Sequence, residues 1–84
     1  MATQEQDIKA AERRFDKGIE AFNDGKLDVA SEAFSDAEIR FRLTGDFKRA
    51  GDSRMMIADV QRQLNQFEKA TVSYQKARNQ YREA

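Results

Sequence analysis

An all-α fold of two stacked antiparallel helix hairpins is what this sequence predicts, on three observations. Proline is absent from its 84 residues, and helix-forming Ala, Glu, Lys, Arg, Gln and Leu make up much of the rest. Helix-ending signals fall at Asn23-Asp24-Gly25, Thr44-Gly45-Asp46 and Leu64-Asn65-Gln66, where Gly or Asn can take the left-handed conformation that closes a helix. Apolar residues recur at helical spacing between the stops, as in VASEAFSDAE, where Ala30, Phe34 and Ala37 share a face.

Three stops define four helices. The first is expected from about Asp7 to Asn23, with Ile8, Phe15 and Phe22 recurring every seven residues. The second, about Leu27 to Leu43, carries the stripe Leu27, Ala30, Phe34, Ala37 and Phe41. Val29, Ala33, Ile39 and Leu43 add apolar area outside that stripe, so this helix is expected to be covered on two sides. Asp46 is placed to cap the third helix, about Phe47 to Leu64, its carboxylate accepting from unpaired backbone amides. The fourth, about Glu68 to Glu83, has the stripe Phe67, Ala70, Tyr74, Ala77 and Tyr81. Its remainder, including Ser73, Gln75, Lys76, Asn79, Gln80 and Arg82, is polar, as expected of a helix that caps a stack.

The two halves are related by an offset of forty positions: Gly18 with Ala58, Gly25 with Asn65, Leu27 with Phe67, Ala30 with Ala70, Phe34 with Tyr74, Ala37 with Ala77, and Phe41 with Tyr81. The chain is therefore read as one domain, residues 1–84, with repeat one at about 7–44 and repeat two at about 46–84. Small residues let two helix axes approach to about 8 Å. Gly18 with Ala30, and Ala58 with Ala70, are expected at that crossing, and Phe34 and Tyr74 to cover the gap one turn on.

Bulk composition narrows the function. With no cysteine and no histidine, disulfides, zinc sites and Cys/His nucleophiles are excluded by inventory, and no cofactor is implied. Fifteen basic and fifteen acidic residues give zero formal charge, with the signs interspersed, so nucleic acid and anionic lipid are not expected partners. No apolar run approaches membrane-spanning length, which leads to the expectation of a cytoplasmic protein without membrane insertion. Arg40, Arg42, Lys48, Arg49 and Arg54 cluster around the central turn, but Asp46 and Asp52 interleave and the group reads as solvated surface. The carboxylate pairs Asp24/Asp28 and Glu32/Asp36 read as solvating charges, since nothing on an exposed helix face tunes them for acid–base work. An enzyme is not expected.

The Ala-x3-Phe/Tyr-x2-Ala figure, preceded at twelve residues by Gly18 or Ala58, resembles the tetratricopeptide repeat, with Gly25-Lys26-Leu27 and Asn65-Gln66-Phe67 at the family's turn. The resemblance spans nearly the whole chain. It departs from the pattern at Arg14 and Arg54, in place of tryptophan, at Lys17, in place of leucine, and at Ala21 and Gln61, in place of tyrosine. The period is also longer than usual, similar to that of kinesin light chains and soluble NSF attachment proteins.

The resemblance implies a non-enzymatic interaction module, an adaptor, scaffold or assembly factor, that holds a peptide or helix of a protein partner in a groove lined by the first helix of each repeat. The matching positions are Glu12, Phe15, Ile19, Phe22 and Asn23, then Asp52, Met55, Asp59, Arg62 and Gln63. Phe15 and Ile19 stand where some members carry a Lys and an Asn that clamp a carboxylate terminus, so that clamp is not expected. Phe15 and Phe22 also read as plain core. Met55 and Met56 point in different directions, and only one of them can face the core. An alternative is a homodimer formed through the apolar stripe of the first helix.

Overall fold

The computed structural model describes residues 4–84 as four helices: α1 (Gln4–Asn23), α2 (Leu27–Leu43), α3 (Phe47–Gln63) and α4 (Phe67–Glu83). α1 starts three residues before the expected boundary. The other limits agree with the sequence reading to within a residue. Each helix packs on its neighbour in the chain, α1 on α2, α2 on α3 and α3 on α4. The result is two stacked hairpins, a slab of 41 × 29 × 15 Å that is thin in one direction.

The three turns are built alike. Gly25, Gly45 and Asn65 have φ of 76°, 77° and 61°, and the next residue's amide reaches back five positions to a helix carbonyl. These bonds, Lys26 to Ala21, Asp46 to Phe41 and Gln66 to Gln61, are each 2.8 Å and satisfy carbonyls that the helix end leaves free. Asp46 caps α3 as expected, its carboxylate accepting from the Arg49 amide at 3.0 Å.

Phe34 and Phe41 of α2 are the largest side chains wholly withdrawn from water. Phe34 joins Ala21, Ala30, Ile57 and Val60, with Phe15, Ile19, Phe22, Leu27 and Met56 packed around them. Phe41 lies with Ala11, Ala37 and Ala50. Gly18 makes room for an aromatic ring. A Cβ there would stand 2.6 Å from the Phe34 ring, so the missing side chain is the space the ring occupies. Gly51 leaves the same kind of space for Tyr81, at 2.7 Å. Phe15 meets Phe34 edge to face, with ring centroids 5.4 Å apart.

Three expectations about burial are corrected. Val29, Ile39 and Leu43 are exposed, Leu43 at 82%, because α1 and α3 meet α2 along Ala30, Ala33, Phe34, Ala37 and Phe41 and leave the rest of its surface open. On α4, Phe67 is exposed, whereas Ser73 and Gln80, expected in the polar remainder, are buried. Ser73 donates to Gln61 Oε1 at 2.7 Å, and Gln80 Nε2 donates to Glu38 Oε2 at 2.8 Å. Arg54 is not free surface charge either. Its guanidinium donates to both oxygens of the buried Glu38 at 2.8 and 2.6 Å, so one carboxylate of α2 ties α3 and α4 to the first hairpin.

The repeat offset explains this partner choice. Arg14, the counterpart of Arg54, pairs within its own hairpin with Asp36, at 2.8 Å. Forty positions on from Asp36 stands Lys76, which lines the same shallow surface as Arg54. Where the first hairpin offers Arg14 a carboxylate, the second has a cation, and the Arg54 guanidinium pairs with Glu38 of α2.

Candidate functional site: a cleft between α1 and α3

A cleft of about 170 Å³ opens between α1, the end of α2 and the start of α3, lined by Glu12, Phe15, Asp16, Phe41, Arg49 and Asp52. Helical spacing assembles it. Glu12, Phe15 and Asp16 are three and four residues apart on one face of α1, as Arg49 and Asp52 are on α3. Phe15 and Phe41 give it an aromatic floor, and three carboxylates share it with one guanidinium.

That guanidinium is held firmly. Arg49 Nη1 donates to Glu12 Oε2 at 2.7 Å across the gap between α1 and α3, its Nε lies 3.0 Å from Asp46 Oδ2, and its centre sits 5.5 Å from the Phe41 ring centroid. The Glu12 hydrogen bond, opposed by burial and aided by the charges of Asp46, Glu12 and Asp52, raises the Arg49 pKa further above its ordinary value. Asp52 accepts from the Tyr81 hydroxyl at 2.6 Å, while Lys48 Nζ lies 3.8 Å from its other oxygen. Asp16 is exposed and has no bonded partner among the described residues.

Of the ten residues marked by the sequence, Glu12, Phe15 and Asp52 share this cleft. Ile19 and Phe22 are half-buried against the core beside Ile57 and Val60, and Asn23 is exposed where α1 ends. Met55 is half-buried outside that core cluster, which Met56 joins instead. Asp59 accepts from the Tyr74 hydroxyl at 2.7 Å and lies 3.9 Å from Arg62 Nη2; Arg62 and Gln63 are exposed at the end of α3. Met55, Asp59, Arg62 and Gln63 of α3 do not line the cleft. The sequence reading missed Asp16, Phe41 and Arg49 as lining residues. Phe41 was assigned to core and Arg49 to the surface cluster, and each is in fact shared between two environments.

The two tyrosines are tied down in parallel. Burial, then the bond to Asp52, pushes the Tyr81 phenol far above its ordinary range, and the bond to Asp59, then burial, raises that of Tyr74. They replace Phe41 and Phe34 of the first hairpin, which are covered. Four of the five central-turn cations are likewise engaged: Arg40 with Asp36 at 3.0 Å, Lys48 with Asp52, Arg49 with Glu12, and Arg54 with Glu38. Among the described residues, no group of three or more His, Cys, Asp or Glu side chains could hold a metal ion, and no helix is long and apolar enough to cross a membrane.

Comparison with known proteins adds one match. No curated protein and no solved structure matches the chain. The family model described as soluble NSF attachment protein, SNAP, matches residues 2–84. Together with the paired hairpins and their forty-residue offset, this match over nearly the whole sequence places the chain in the soluble NSF attachment protein family.

Proposed function

We propose that the chain is a non-enzymatic adaptor that receives a peptide or helix of a protein partner in the groove formed by α1 and α3. The observation that carries this reading is the cleft at Glu12, Phe15, Asp16, Phe41, Arg49 and Asp52, where aromatic area and bonding groups meet at an opening between helices. Met55, Asp59 and Arg62 extend it along α3, adding apolar surface and a forked donor. Membership of a family named for attachment agrees with a role in which binding is the activity. The homodimer through Phe15, Ile19 and Phe22 is less favoured, because those side chains already pack against the internal core.

Photocrosslinking tests the reading. A photoreactive residue at Asp16 or Met55 should join to protein partners in an extract of the source cells, while one at Gln75, on the exposed side of α4, should not. Equal adducts from all three positions would place the contact elsewhere. With a partner in hand, replacing Met55 and Arg62 together by Ala should weaken binding by about 1 to 4 kcal/mol and leave the fold intact.

A further inference from the structure

The outer face of α2 carries a pattern that no contact within the chain uses. Val29, Ile39 and Leu43, expected from the sequence to be covered, are all exposed on the side of α2 that α1 and α3 leave open. They lie on the strip Val29, Glu32, Asp36, Ile39 and Leu43, whose alternating steps of three and four keep it on one face, as along a two-helix seam. Arg42 borders that strip, sharing a shallow hollow with Ile39, Leu43 and Phe47.

We propose that this face binds the same face of a second copy of the chain, the two α2 helices running antiparallel about a twofold axis near Ser35 and Asp36. Charge complementarity selects that occupant. Asp28 and Arg42 stand fourteen positions apart, about four turns, and so share one flank of the strip; Val29 and Leu43 share its centre at the same separation. A twofold axis through the middle of each pair sets Asp28 against Arg42 of the second copy, and Val29 against its Leu43, twice over. A parallel pairing would set like charge against like. The side chains of Asp28 and Arg42 have no ion-pair partner among the described residues, so both are available. Asp36, the acid nearest the axis, is already balanced by Arg14 and Arg40, at 2.8 and 3.0 Å. The apolar area is small, which makes the dimer weak and reversible. None of these residues lines the α1–α3 cleft, and the two surfaces are tested separately.

Sedimentation equilibrium of the full chain tests the pairing. Between about 10 and 500 µM the mean mass should climb from 9.7 kDa toward twice that value. Leu43→Ser, at an exposed position, should raise the dissociation constant at least about tenfold without loss of thermal stability, because each dimer loses two contacts between Leu43 and Val29. Asp28→Arg and Arg42→Asp alone should each weaken association about three- to tenfold, and an equimolar mixture of the two variants should recover it, since every pair across the axis is again of opposite sign. Effects of either change on its own helix end would persist in the mixture and cannot imitate the recovery. A chain that stays at 9.7 kDa up to about 500 µM overturns the proposal and leaves the face to a different partner. Association unchanged by Leu43→Ser puts the dimer on another surface, and a mixture no tighter than its components rules out the antiparallel pairing of Asp28 with Arg42.

Discussion

Arg54 of α3 and Glu38 of α2 form a two-point bond across the junction of the hairpins, and Gln80 of α4 adds a third donor to the same carboxylate. The carboxylate is almost wholly shielded from water and the guanidinium keeps 21% exposure, so the loss of one member is felt unequally. Arg54→Met leaves Glu38 buried with only Gln80 to bond it, and is expected to cost about 2 to 4 kcal/mol. Adding Glu38→Leu to that variant should recover part of the loss, since an apolar pair needs no counter-charge. Urea denaturation of the two single variants and the double variant measures the coupling. Additive losses would mean that the pair does not hold the junction.

Gly18→Ala should destabilise by about 1 to 3 kcal/mol despite the gain in helix propensity, because the new methyl falls where the Phe34 ring lies and that ring is enclosed. Gly51→Ala meets the Tyr81 ring at a similar distance, but Tyr81 is only partly buried and can swing outward. Its cost should be smaller. Thermal melts of the two variants compare them directly.

High pH should loosen the second hairpin before the first. Tyr81 and Tyr74 have raised phenol pKa values in the fold, so the folded state holds these protons more tightly than the unfolded chain. Their contribution is fully present below the unfolded phenol value of about 10 and is lost as pH climbs toward the folded ones. Tyrosinate absorbance should thus rise late, together with unfolding. In Asp52→Asn the Tyr81 phenol should ionise at lower pH, though still above the ordinary value because burial is the larger cause.

Asn65→Gly should be neutral or stabilise by up to about 1 kcal/mol, whereas Asn65→Ala should cost about as much, because this position needs a positive φ. Chemical denaturation of both variants gives the sign.

The turns and hairpins were legible in the sequence because their signals are local: Gly25, Gly45 and Asn65 each name a conformation, and the forty-residue offset is arithmetic. The Phe34 and Phe41 stripe was legible for the same reason. The Glu38–Arg54–Gln80 link was not, since it joins residues 16 and 42 positions apart and its cation has the look of surface charge. At the cleft, Glu12, Phe15 and Asp52 followed from repeat alignment. Asp16, Phe41 and Arg49 enter because three helices, α1, α2 and α3, converge on the cleft, which no spacing within one helix encodes.

The link at Glu38 also gives the stack a direction. Hairpin one carries the socket, Glu38, and hairpin two the plug, Arg54 with Gln80. At the position equivalent to the socket, hairpin two has Arg78. A tandem copy of hairpin two would set Arg78 against the next plug, like charge to like, whereas a second hairpin one would bring Arg14 toward an acid it could accept. The two repeats share an outline but cannot trade places, and their order along the chain is written in the sign of one side chain.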